Sequence, residues 1–85
     1  MEKKYIMIES SWGWFPIIFS AAMVHSDVAR NVGGKPVSAG YFHTRIEDGK
    51  IKVECYGDSS SLNLKPSAGD EIYLEMLLNE KGRRS

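Results

Sequence analysis

The chain is short of the residues that announce chemistry. It has one cysteine, Cys55, so no internal disulfide can form. A small domain without staples suits a reducing, cytoplasmic setting rather than secretion. Eleven basic and eleven acidic residues cancel, which removes the long-range field that non-specific duplex binders depend on. The longest largely apolar stretch, Trp12 to Val24, contains Gly13 and Pro16 and is only 13 residues long. At ~1.5 Å per helical residue that is too short to cross a bilayer. Near the start, Tyr5-Ile-Met-Ile8 is cut off by Glu9 and Ser10, so it is no signal-peptide core.

Catalytic and cofactor motifs are equally scarce. The two histidines, His25 and His43, have no cysteine or carboxylate at ligand spacing, so the sequence predicts no metal site. Gly33-Gly34-Lys35 lacks the upstream glycine and the Ser or Thr after lysine that a phosphate loop needs, and reads instead as a helix C-cap. Gly57-Asp-Ser-Ser-Ser-Leu62 resembles the Gly-Asp-Ser-Leu signature of serine esterases over three letters only, and the chain is too short for that fold. A polar turn, with Asp58 and the serines bonded to local backbone, is the simpler reading. No enzyme, cofactor or metal is expected.

What is present is a foldable pattern. Apolar residues make up 42% and charged residues 26% of the 85, well away from the composition of disordered chains. One small domain spanning 1–85 is expected, with 81–85 as a frayed tail. Lys4 to Glu9 and Phe15 to Phe19 read as strands of a first hairpin, with Pro16 placing the second at an edge there or starting it beyond that residue. Ala21, Val24, Val28 and Val32 have helical spacing before Gly33-Gly34, with Ser20 and Ser26 both suited to cap the start. A second helix follows Pro66 and the Ser67-x-x-Asp70 spacing, is apolar at Ile72, Leu74, Met76, Leu77 and Leu78, and ends between Asn79 and Gly82.

Between the helices, two alternating segments, Val37 to Glu47 and Lys50 to Tyr56, flank Asp48-Gly49. A two-residue turn there opposes Arg45 to Lys52, His43 to Glu54, Phe42 to Cys55 and Tyr41 to Tyr56. One face then holds Phe42, Thr44, Ile46, Ile51, Val53 and Cys55 and belongs to the core. The other holds Tyr41, His43, Arg45, Lys52, Glu54 and Tyr56. Arg45 opposite Lys52 is unfavourable unless Glu47 and Glu54 offset it on the diagonals.

The order β-β-α-β-β-α predicts an α+β two-layer sandwich, a four-stranded antiparallel sheet with both helices on one face. Its expected role is a non-enzymatic module for protein interaction or homodimerisation, of a kind common among small accessory proteins of bacteria and their phages. The interaction surface combines the Trp12 and Trp14 loop with Tyr41, His43, Arg45, Lys52 and Tyr56. Tyrosine, tryptophan and arginine are the residues that anchor interfaces. A less favoured alternative is single-stranded nucleic acid stacked on the two tyrosines, its phosphates held by Arg45 and Lys52.

Overall fold

The structure, a computed structural model, describes residues 3–82. Two strands, β1 (Lys3–Ser10) and β2 (Gly13–Ser20), are followed by helix α1 (His25–Val32). Strands β3 (Lys35–Glu47) and β4 (Lys50–Tyr56) then lead to helix α2 (Asp70–Gly82). The strands form one antiparallel sheet in the order β2-β1-β3-β4. The α+β class, the element order and the sheet are those the sequence predicts. Lys81 and Gly82, expected in the frayed tail, continue α2, and 83–85 lie outside the described residues.

The layering differs from expectation: the helices cover opposite faces. Tyr5, Ile6, Met7 and Ile8 are consecutive and all fully buried. Since neighbouring side chains in a strand point to opposite faces, β1 must be covered twice. Ile6, Ile8, Phe19 and Ala39 pack with Val28 of α1, and Leu62 and Leu64 from the 57–65 connection close over them. Tyr5, Phe42 and Val53 pack with Leu74 of α2. A run of four apolar residues in a central strand was the sequence signal for this.

α2 lies over its face and along the β4 edge. Leu74 and Leu78 point into the sheet. Glu71, Glu75 and Asn79, one turn apart, accept the N–H groups of Cys55, Val53 and Ile51 at 2.7, 3.0 and 2.9 Å. Asn79 also donates to the Ile51 carbonyl at 3.1 Å, so it completes the edge from within the helix rather than ending it. These strand N–H groups face away from β3, and the helix supplies the partner that a fifth strand would otherwise offer. At the other edge, β2 carries Pro16 opposite Met7. The ladder alternation from Ser10↔Gly13 turns the nitrogen of Pro16 outward, where no bond is lost.

At its N-terminus α2 is fixed by Asp70, which is 1% exposed. Its carboxylate accepts the Tyr5 hydroxyl at 2.5 Å, the Ser38 hydroxyl at 2.9 Å and the Ser67 N–H at 2.9 Å. The last bond is half of a capping box and realises the Ser67-x-x-Asp70 spacing. Burial, reinforced by the bond to Asp70, raises the Tyr5 phenol far above its ordinary pKa. Burial likewise pushes the Cys55 thiol up to about 11, so at neutral pH it is a protonated, weakly nucleophilic group.

Candidate functional site

The β3–β4 hairpin has the predicted register throughout, from Tyr41↔Tyr56 to Glu47↔Lys50. Asp48 and Gly49 both take positive φ, 54° and 76°, as a type I′ turn requires. The hairpin projects beyond β1, whose first described residue, Lys3, is level with Phe42. That projection explains a misplaced core residue. Ile46, expected inside, is 71% exposed, and Thr44 is exposed too, because β1 is level with β3 only as far as Phe42 and α2 runs along the β4 edge, over Ile51, rather than over this end of β3.

On the outer face the rings of Tyr41 and Tyr56 stack with centroids 5.8 Å apart, and His43 tilts against Tyr56 at 5.3 Å. Tyr41 has further contacts. Lys4 lies over its ring at 5.5 Å, and His25 meets it edge-on at 6.0 Å. Beneath it is Gly57, at φ +71°, where a Cβ would come within 2.9 Å of the ring. Glycine there serves both the turn and the flat packing of Tyr41.

The charges of this face are largely spent on one another. His43 and Glu54 are 2.7 Å apart, and the Arg45 guanidinium reaches Glu47 at 3.2 Å and Glu54 at 3.9 Å. The two glutamates therefore offset the opposed Arg45 and Lys52 as the register suggested. Lys52 has no carboxylate partner within salt-bridge distance among the described residues.

The second candidate element is the turn between β1 and β2. Trp12 stands at its tip and is 93% exposed; Trp14 and Phe15, next on β2, are also exposed. Trp14 is held by an indole N–H bond to Glu9 at 3.0 Å, and Ser10 fixes the turn by accepting the Trp12 N–H at 3.2 Å. Neither Trp12 nor Trp14 belongs to the two core clusters. Trp14 faces the α2 side of the sheet, with Glu9 and Tyr5, whereas Tyr41 and Arg45 face the α1 side. At ~3.3 Å per residue, Trp14 beside Glu9 and Arg45 beyond Lys3 are about 30 Å apart along the strands. The seven expected residues therefore form two separate surfaces.

The serine-rich connection is a structural turn. Ser59 is buried and its hydroxyl accepts the Leu62 N–H at 3.3 Å, while its backbone bridges to Leu64. The Ser61 hydroxyl accepts the N–H of Ser26 at 3.1 Å. It thereby caps α1, whose own N-cap residue, Val24, has no side chain able to do so. Neither Ser20 nor Ser26 caps the helix as the sequence suggested. Among the described residues no group of three or more His, Cys, Asp or Glu could hold a metal ion, and no helix is long and apolar enough to cross a membrane. Comparison with protein-family models, curated proteins and solved structures found no match to the chain.

Proposed function

We propose that the chain is a non-enzymatic protein-interaction module that docks through the apolar tip of the β1–β2 hairpin, onto a second copy or another protein. The observation that carries this reading is Trp12, 93% exposed on a turn fixed by hydrogen bonds and flanked by exposed Trp14 and Phe15. Tryptophan side chains bring large contact area at little cost in conformational entropy and dominate interface energetics. A partner that covers these rings would gain the transfer free energy of the aromatic area still in water, most of it from Trp12.

A Trp12→Ser, Trp14→Ser double variant tests the reading, because both rings lie outside the two core clusters. The expected result is an unchanged circular dichroism spectrum together with loss of the wild-type dimer in sedimentation, or loss of a captured protein. A wild type that is monomeric and captures nothing overturns it.

The outer face of the β3–β4 hairpin supports a second reading, single-stranded nucleic acid. It offers the stacked Tyr41 and Tyr56 and an unengaged Lys52. Glu47 and Glu54 weigh against it by occupying Arg45. Under this reading oligonucleotide affinity falls with salt and is lost in an Arg45→Glu, Lys52→Glu variant. Absence of binding at low salt removes it.

A further inference from the structure

α1 is seated on the sheet by few attachments. Its eight residues contribute Val28 and part of Ala29 to the core. Its first turn relies on the hydroxyl of Ser61, 35 residues away, for a cap. Its C-terminus gives way to Gly33, at φ +80°, where an added Cβ would meet nothing within 4 Å. The next residue, Gly34, is pinned: a Cβ there would lie 2.5 Å from Ile8. Gly33 is thus a pivot beside a fixed point, and on the other side Ala21 to Val24 form an exposed turn.

The remaining attachments are the Lys4 ammonium, which donates to the Met23 carbonyl at 2.8 Å, and His25, the first residue of α1 and 3% exposed. Its Nε2 lies 3.0 Å from the Gly40 carbonyl. A carbonyl only accepts, so Nε2 carries the hydrogen and the lone pair of the neutral ring is on Nδ1. The ring is wedged edge-on between Phe19 at 5.3 Å and Tyr41 at 6.0 Å. The charged and titratable groups facing it are Lys4 from β1 and the Tyr41 phenol from β3. β2 contributes Phe19, which does not titrate. On α1 itself, Asp27 and Arg30 are exposed and paired at 3.6 Å. Among the described residues no carboxylate contacts the ring to compensate a positive charge.

We propose that His25 is a protonation latch: the neutral imidazole holds α1 on the β2-β1-β3 face, and proton uptake releases residues 21–32 as a unit about Gly33. A proton arriving from solvent at Nδ1 creates an imidazolium in an apolar slot beside the Lys4 ammonium. Burial and Lys4 both disfavour that charge, and the carbonyls of Gly40 and Tyr5 only partly offset them. The released ring is hydrated and titrates normally. Release bares the part of the Ile6, Ile8, Phe19 and Ala39 face that α1 covers, while Leu62 and Leu64 stay over the rest.

The latch is tested on the wild-type chain by amide hydrogen exchange, corrected for intrinsic rates, between pH 7.5 and pH 5.0. A released imidazole of pKa about 6.5 is favoured roughly thirtyfold by protonation at pH 5.0, which caps the effect. Protection of amides 26–32 is expected to fall about tenfold or more, while that of 51–55 and 74–78 stays level. The His25 ring signals should titrate at the midpoint of that loss. In His25→Gln, whose amide can still donate to Gly40, the loss should vanish; in His43→Gln it should persist. Unchanged protection of 26–32 in the wild type overturns the proposal, as does equal acid lability of His25→Gln. If His25→Gln does not fold, the wild-type titration decides alone: a His25 ring titrating near 6.5 while α1 stays protected overturns the latch.

Discussion

α2 and α1 cover opposite faces of one sheet with very different grips. α2 inserts Leu74 and Leu78, buries Asp70 among three donors, and bonds the β4 backbone through Glu71, Glu75 and Asn79. α1 inserts Val28, borrows its cap from Ser61 and rests on one imidazole. The difference shows how 85 residues distribute stability. One helix is welded to an edge that would otherwise invite a foreign strand, and the other is left able to move.

The contrast is broken most severely from the α2 side. Leu74 has no exposed surface, so Leu74→Ala should cost about 3 kcal/mol in urea unfolding, through lost burial and the cavity left behind. Asp70→Ala should cost about 2 to 3 kcal/mol, because it strands the Tyr5 hydroxyl, the Ser38 hydroxyl and the Ser67 N–H in a dry site. Asp70→Asn, which keeps two acceptor positions on its carbonyl oxygen, should cost less. A loss under 1 kcal/mol for Asp70→Ala would show that water enters the α2 N-terminus and that the helix is less firmly fixed than its bonds imply.

Next in size is the edge seal. Glu75→Ala leaves the Val53 N–H without its 3.0 Å acceptor and should cost about 1 kcal/mol, with faster exchange of the Val53 amide alone. If Glu75→Ala also causes concentration-dependent association, the stripe Glu71, Glu75 and Asn79 protects the β4 edge as well as stabilising it.

These distinctions were only partly legible in the sequence. The β3–β4 register could be read to the residue, since Asp48-Gly49 fixes the turn and strict alternation fixes the faces. The Glu71, Glu75, Asn79 spacing was visible, but a polar helical stripe looks alike whether it faces solvent or a strand edge. The end of α1 at Val32 was legible but its start was not, because Ala21 and Val24 share helical spacing with Val28 and Val32, yet they lie in the exposed turn before the helix. His25 is three residues before Val28, a spacing that puts both on one face. That was the available signal for its burial. The cap from Ser61 had none, because no local pattern ties residues 35 positions apart. The Trp12, Trp14 and hairpin residues could be nominated singly, but their separation depends on which strand neighbours which, and that is a property of the assembled sheet.

On the α1 side the expected effects are smaller and depend on pH. The folded state holds His25 neutral below its ordinary pKa, so acid favours any state that frees it. Its share of stability is complete above about pH 6.5 and declines as pH falls. Leu74, Leu78 and the Asn79 bonds to Ile51, none of which titrates, should keep α2 in place over the same range. Urea midpoints measured from pH 7.5 to 5.0 should therefore fall in the wild type and flatten in His25→Gln.

The smallest expected effect is the most local. Ser61→Ala removes the hydroxyl that accepts the Ser26 N–H, a loss typical of helix caps and worth about 0.5 to 1 kcal/mol. Because the cap comes from a distant loop, two outcomes separate cleanly. If α1 opens independently of the rest, Ser61→Ala should speed exchange of amides 26–32 severalfold and leave those of β4 and α2 unchanged. If α1 opens only when the whole domain unfolds, every protected amide should accelerate by the same factor. The second result would remove the difference between the two helices, and with it the idea that α1 is a separately movable part.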